Sequence, residues 1–283
     1  MTFTRTRTML FVPATRPDLV AKIDRAGADL VVLDLEDTVP PSAKDAARAA
    51  APALLDRLRA VPGVTVLLRV NDLRTPWCVA DLEAAPGAAG VVVPKVEGAA
   101  DLDEVAKYTD LPALAGIESA AGVQAVETIA PRVIAMYFGA EDFIADMGGR
   151  RSSDNREVLY ARSRVALAAR VAEIPALDQV FFDVADEPGF RRDTAEGRDL
   201  GYAGKMCLNP RQVAWAREVY TPTQAEIDRA TRALAAYDSA VAAGEGVAFV
   251  DGVLVDLPVV RLARRVLAAA EYPPADPTEE QGV

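Results

Sequence analysis

The chain of 283 residues contains no histidine. That absence removes Ser-His-Asp and Cys-His nucleophile pairs, His-ligated zinc, histidine general bases and histidine proton switches. Cysteine is nearly absent: Cys78 and Cys207 are too few for a disulfide scaffold or a thiolate zinc site. They fit a reducing compartment, and each reads as a small buried apolar side chain. No apolar run reaches the roughly 18 residues that span a bilayer. The opening segment, Met1-Thr-Phe-Thr-Arg-Thr-Arg7, carries no signal-peptide pattern. The expectation is a cytoplasmic protein without a membrane partner. Basic residues are the minority sign, 31 against 42 acidic for a net charge of −11. Such a chain repels phosphate backbones, which argues against a nucleic-acid partner. An active site here must use carboxylates, Arg, Lys, Tyr, backbone amides or a hard metal ion.

What is present is core material: 51 % of residues are apolar, enough for a sizeable buried interior. Short β-branched runs alternate with longer Ala-rich amphipathic stretches. Strands are expected at 9–13, 30–35, 64–69, 90–94, 114–118, 133–138, 179–183 and 204–208. Their continuous rather than alternating apolar character indicates burial on both faces, as in a parallel sheet. Helices are expected at 17–26, 43–60, 101–107, 120–130, 156–173, 189–200 and 211–220, with a weaker signal at 77–83. Ser42, after Pro40-Pro41, reads as an N-cap. Eight strands with intervening helices fit a TIM (β/α)8 barrel better than an open doubly wound sheet, although counting alone leaves both open. The barrel domain is assigned to 6–220. A C-terminal extension, 221–272, reads as helix 224–243, a hairpin at 247–255 about Asp251-Gly252, and helix 258–270. The Pro-rich tail 273–283 is expected to be disordered.

The apolar runs finish on polar residues. Asp34, Glu36 and Asp37 end the second, Arg69 and Asn71 the third, Lys95 the fourth and Glu118 the fifth. Glu141-Asp142, Asp183 and Asn209 follow the last three. In a closed parallel barrel these ends share one rim, where such barrels place their chemistry. Glu118 and Asp142, the latter preceded by Gly139-Ala140, are two carboxylates that repel unless protonated or bridged by a cation. Mg²⁺ suits such a pair; salt bridges to a rim cation such as Lys95 are the plain alternative. Arg69 can present its planar fork to a carboxylate or developing oxyanion, or simply pair with Asp34 or Glu36. Asp34 and Glu36 share a strand face by parity while Asp37 starts the loop, so one of the three is expected to orient Arg69. Lys44 and Arg48 stand at i and i+4 on one helix face, a spacing that fits a phosphorylated ligand or a solvated pair equally.

These residues have a familiar order. Met9-Leu-Phe-Val-Pro13, Asp34-Leu-Glu-Asp37 with Lys44 and Arg48, Leu68-Arg-Val-Asn71, Val93-Pro-Lys95, Gly116-Ile-Glu118 and Gly139-Ala-Glu-Asp142 come in register. Leu159-Tyr-Ala-Arg-Ser163, Gly204-Lys205 and Asp251-Gly-Val-Leu-Val-Asp256-Leu-Pro258 continue the match. Over roughly residues 6 to 270 the sequence resembles the citrate lyase β-subunit family. That family includes malyl-CoA, methylmalyl-CoA and citramalyl-CoA lyases, within the aldolase superfamily related to malate synthase.

The resemblance implies a TIM barrel and Mg²⁺-dependent cleavage of a 3-hydroxyacyl thioester to acetyl-CoA, or a homologue, and a 2-oxo acid. By position it implies Glu118 and Asp142 as metal ligands and Arg69 as the enolate-stabilising arginine, with Glu36 and Asp37 beside it. Asp256 matches an acid/base aspartate delivered to a neighbouring subunit, and a homotrimer is implied. Phe11, Lys22, Lys44 and Arg48 match positions that contact the thioester carrier, and Gly139 and Ala140 join the substrate-binding set. An acyl-carrier protein is a further implied partner. The chain departs from the family at Lys205-Met-Cys-Leu-Asn209-Pro210, where histidine usually stands in place of Asn209, and at Ala14, where glycine is common. Glu141 can support the site or point away. A thioester hydrolase and a malate-synthase-like condensing enzyme are rival readings of the same site, as is a citrate lyase subunit acting only on a partner-bound thioester. An aldolase for free hydroxy-keto acids needs a histidine that this chain lacks.

Overall fold

In the computed structural model, which describes residues 6–271, the apolar runs form one wall. The strands are β1 (Thr8–Pro13), β2 (Leu30–Asp34), β3 (Thr65–Arg69), β4 (Val91–Val93), β5 (Ala113–Ile117), β6 (Ala135–Phe138), β7 (Ala176–Asp178) and β8 (Gly204–Cys207). They pair in parallel in sequence order, and β8 closes on β1 with Met9 opposite Met206. The fold is therefore a closed TIM-type barrel, not an open sheet. Met9, Leu30, Val32, Leu67, Leu114, Tyr137 and Leu177 belong to the cluster that fills the barrel. The residues between them, such as Leu10, Val31, Leu33, Leu68 and Phe138, belong to a separate cluster shared with the helices. Burial of both strand faces explains why these segments read as unbroken apolar runs.

The helices of this unit are α1 (Pro17–Val20), α2 (Lys44–Arg59), α3 (Cys78–Glu83), α4 (Ala99–Val105), α5 (Ala120–Ile129), α6 (Ala140–Asp146), α7 (Leu159–Val171), α8 (Glu187–Leu200) and α9 (Pro210–Tyr220). Three sequence expectations change. Ser42 is not an N-cap: Pro41–Ala43 form a 3-10 turn and α2 starts without a side-chain cap. The segment 179–183 is not a strand, because pairing of β7 with β6 and β8 stops by Asp178. Its apolar character serves packing beyond the barrel: Phe181 meets Phe190 of α8 edge-on with ring centroids 6.1 Å apart. Helix α6, short and directly after β6, has no counterpart in the sequence reading.

The chain divides into two compact units, Met1–Arg217 and Glu218–Val283. In the second, a capping box between Thr223 and Glu226 opens α10 (Gln224–Ala242). An antiparallel hairpin follows, β9 (Ala248–Val250) and β10 (Val253–Val255), and then α11 (Leu257–Ala270). Its turn residues Asp251 and Gly252 both have positive φ, 50° and 78°, as a two-residue hairpin turn requires. Ala230, Ala233, Val255, Val260 and Ala263 form its small core. The tail 273–283 lies outside the described residues. Among the described residues no helix is long and apolar enough to cross a membrane.

Candidate active site

Strand parity decides which rim residues look inward. Asp34 of β2 and Arg69 of β3 are register partners on adjacent strands. Their side chains form a two-pronged ion pair, Nε to Oδ1 and Nη2 to Oδ2, both at 2.7 Å. Glu36, two residues on, approaches Arg69 Nη1 at 2.8 Å. Phe11 lies beneath the guanidinium, with Cζ 4.8 Å from the ring centroid, and meets Tyr137 edge-on. The pairing reading of Arg69 is the one realised. It pairs with Asp34 and Glu36, and that pairing fixes its plane at the barrel mouth.

Glu118 continues the inward parity of β5 and is 2 % exposed. Two glycines make room for it: a methyl group on Gly116 would collide with its carboxylate and with the Tyr137 hydroxyl, and one on Gly139 would strike its side-chain carbons. Tyr137 donates a hydrogen bond to Glu118 Oε1. Immediately after it, Ser119 caps α5 by accepting from the Gly122 N–H at 3.1 Å. Tyr137 was missed in the sequence, since an apolar run hides its polar end. Its place two residues before Gly139, on the inward parity of β6, was the available signal.

Lys95 joins the two halves of the mouth. Its backbone is left-handed, φ 52°, an uncommon state for a lysine. Its ammonium donates to Glu36 Oε1 at 2.6 Å and lies 3.5 Å from Asp37 and 3.7 Å from Asp142. Asp142 stands in the first turn of α6 with its side chain 44 % exposed. Glu141 turns instead to Arg151, accepting from Nε at 3.0 Å.

The electrostatics follow from burial and crowding. Burial, then the charge of Glu36, pushes the Glu118 carboxyl up to about 8, with Asp142 adding to the effect and Tyr137 and Arg69 opposing it. Burial likewise raises Glu36, and Arg69 and Lys95 only partly offset this. Asp34 is buried as well, yet the charge and hydrogen bonds of Arg69 hold it below the usual carboxylate range. Three crowded acids, two of them raised, mark a place where additional positive charge is favourable. Among the described residues no three His, Cys, Asp or Glu side chains converge as a complete metal cage. Mg²⁺ does not need one: it commonly takes one or two carboxylates and completes its shell with water and substrate. The pair Glu118 and Asp142 has that donor chemistry.

Beside this cluster a cavity of about 300 Å³ is bordered by Glu36, Asp37, Asn71, Trp77 and Lys95. A larger hollow of about 580 Å³ lies by Arg151, Gln179 and Asp193. Neither hollow is lined by Arg69, Glu118 or Asp142, but the smaller one shares Glu36, Asp37 and Lys95 with their cluster and the larger one shares none of these. Gly139 and Ala140 border the cluster at the start of α6, and Lys22 is exposed beyond α1. Lys44 is buried, so the solvated pair with Arg48 does not exist. Asp183 is exposed on the β7–α8 loop and accepts from the Ala185 N–H at 3.1 Å, away from any strand end. Asn209 accepts from the Gln212 N–H at 3.1 Å, at the start of α9. Lys205 points out of the barrel into ion pairs with Asp178 and Asp193. Asp256, in the second unit, caps α11 through the Val259 N–H at 3.2 Å.

Comparison with known proteins agrees with this fold. The sequence profile described as HpcH/HpaI aldolase/citrate lyase matches residues 7–210. The chain is 45 % identical to a citrate lyase subunit beta-like protein of Deinococcus radiodurans, covering 93 % of this chain and 96 % of that one. It is 36 % identical to a (3S)-malyl-CoA thioesterase of Cereibacter sphaeroides, covering 94 % of each. Among solved structures, the Mycobacterium tuberculosis protein CitE in complex with magnesium, acetoacetate and coenzyme A superposes with a TM-score of 0.83. That match is 32 % identical and covers 95 % of this chain and 100 % of the other.

Proposed function

The chain belongs to the HpcH/HpaI aldolase/citrate lyase family, and from that premise we propose that it is a Mg²⁺-dependent carbon–carbon lyase. Its substrate is a 3-hydroxyacyl thioester with a carboxylate beside the hydroxyl, of the malyl-, citramalyl- or citryl-CoA type. The products are acetyl-CoA, or a homologue, and a 2-oxo acid. The observation that carries this reading is the inward Arg69, locked by Asp34 and Glu36, facing the buried Glu118 across the same barrel mouth. The CitE complexes containing magnesium with acetoacetate and coenzyme A, and with pyruvate, support the cofactor and the ligand classes.

Glu118 and Asp142 would hold the metal, which when bound supplies Lewis-acid polarisation of the 2-oxo acid oxygens. The substrate hydroxyl would give up its proton to a carboxylate of the site and become the carbonyl of the 2-oxo acid. As the carbon–carbon bond breaks, its electron pair passes into the thioester, whose enolate oxygen needs a fixed cation. Arg69 is already oriented for that role, so little reorganisation is needed when charge develops. Asp37 and Lys95 border the same mouth. Gly139 and Ala140 would border the bound substrate after β6, and Phe11 and Lys22 would meet the carrier. Asp256 would protonate the enolate carbon, delivered from a neighbouring copy of a homotrimer.

The likeness to malyl-CoA thioesterases favours a second reading, hydrolysis at the same site. Incubation with malyl-, citramalyl- and citryl-CoA and Mg²⁺, with 2-oxo acid and free CoA measured separately, decides between them. The lyase reading expects equal amounts of 2-oxo acid and acyl-CoA. Free CoA without 2-oxo acid sinks it. Turnover only of a thioester on an acyl-carrier protein would assign the chain to a citrate lyase complex.

A further inference from the structure

Lys44 occupies the first residue of α2, where unpaired helix N–H groups make a cation unfavourable. Its ammonium nonetheless faces inward. It donates to the Leu35 and Glu36 carbonyls, each at 2.8 Å, and to Asn71 Oδ1 at 2.5 Å. An ammonium has three donors, so all are used. Asn71 is oriented in turn: its Nδ2 donates to the Leu35 carbonyl at 3.0 Å and to Asp81 at 2.5 Å, and its backbone N–H to Asp81 at 2.9 Å. Asp81 is 1 % exposed and also receives Arg48 Nε at 2.7 Å. Arg48 Nη1 is spent on Asp45, and its Nη2 is buried without a hydrogen-bond acceptor rather than presented to solvent.

We propose that Lys44, Asn71, Asp81 and Arg48 are a positioning array that fixes the Leu35–Glu36 backbone and, through Glu36 and Asp34, the plane of Arg69. The array works by holding the carbonyls of one short loop. The Leu35 carbonyl is gripped twice and the Glu36 carbonyl once by the ammonium, while the Asp34 carboxylate that clamps Arg69 also receives the Glu36 N–H at 2.9 Å. Moving Lys44 therefore moves both acids that hold the guanidinium. The consequence for recognition is direct. Lys44 and Arg48 do not bind the anionic carrier, and carrier phosphates are met by other groups.

This inference deepens the lyase reading, and its test separates the two. Lys44→Met and Asp81→Asn are assayed on a malyl thioester of CoA and on the same acyl group carried by pantetheine, which lacks the charged nucleotide. A displaced Arg69 is expected to lower kcat about 10²-fold on both thioesters. KM for the CoA thioester should stay within about twofold, because no ground-state contact is lost. A raised KM for the CoA thioester with pantetheine turnover unchanged would overturn the proposal. Because Lys44→Met leaves the buried Asn71 Oδ1 without its donor, removes one donor each from the Leu35 and Glu36 carbonyls and can unfold the chain, Asp81→Asn carries the crystallographic arm. Its structure should show Glu36 and the Arg69 guanidinium displaced, and an unmoved pair overturns the array. If the unaltered protein cleaves neither thioester, the lyase reading fails alone, and that structure still decides the array.

Discussion

Arg69 shows how much function a single side chain can concentrate once its surroundings are fixed. Burial opposes its charge, yet Asp34 and Glu36 more than compensate, so the guanidinium stays ionised far above any working pH. Replacing it with Lys keeps the charge but loses the planar fork. We expect Arg69→Lys to lower kcat about 10²–10³-fold in the assay of 2-oxo acid release, with the fold retained by circular dichroism. The glycines around Glu118 make an opposite case, in which the missing atom matters. Gly139→Ala should displace the Glu118 side chain and weaken Mg²⁺ binding measured by calorimetry, whereas Ala140→Gly should not. The cysteines illustrate a residue whose sequence reading needs little correction. Burial pushes the Cys78 thiol up to about 12 and raises Cys207 as well. Neither should react with a thiol reagent at pH 8 until the protein is denatured.

At the scale of elements, β7, β8, α7 and α8 are joined by ions rather than by apolar contact alone. Arg162 of α7 clamps Asp178 with two bonds of 2.8 and 2.7 Å, and Lys205 of β8 reaches Asp178 and Asp193 of α8. Arg162, Asp178 and Lys205 are fully buried. Removing one member leaves an uncompensated charge, so Asp178→Asn should cost about 3–5 kcal/mol of unfolding free energy in a urea titration. The same network gives a pH dependence. Burial raises the Asp193 carboxyl, but Lys205 and Arg162 outweigh this and hold it below its ordinary value. A depressed folded value means stability present above the unfolded value, near 3.9 for Asp, and lost as pH falls through the folded one. Unfolding free energy should therefore decline as pH drops below about 4, and Asp193→Asn should flatten that decline while lowering stability at pH 7. The sequence offered Lys205 as part of a motif and Asp183 as a strand end. It did not show that β7 stops at Asp178, because an apolar run looks the same whether it pairs in a sheet or packs from a loop onto α8.

For the whole molecule, the proposed mechanism turns on the acid that protonates the enolate carbon. Asp256 belongs to the second compact unit, and its carboxylate caps α11. If it serves a neighbouring subunit, two inactive variants should complement each other. Co-refolded Arg69→Met and Asp256→Asn chains are expected to recover a measurable fraction of activity that neither has alone. Absence of recovery, with mixed oligomers demonstrated, would place the acid within one chain. Most of the barrel's plan was legible in the order of strands and polar ends, since both-face burial leaves unbroken apolar runs and a closed parallel sheet gathers strand ends on one rim. The short helix α6 was not legible, being too brief for its periodicity to stand out against Gly139 and the acids around it.

The sequence by itself determined the chemical vocabulary. With no histidine and few cysteines, only carboxylates, Arg, Lys and Tyr were left, and their order along the chain aligned with one lyase family. The tertiary structure decided the partners. It turned Arg69 into a clamped guanidinium, brought Tyr137 to Glu118, and sent Lys44 inward to a loop instead of outward to solvent. It also turned Glu141 to Arg151 and made Asn209 accept an α9 N–H. The reason is physical: composition and spacing fix which groups exist and which face they take, but hydrogen-bond closure and burial depend on elements distant in sequence. Asp81 meets Arg48 and Asn71 only because a barrel wall carries them together.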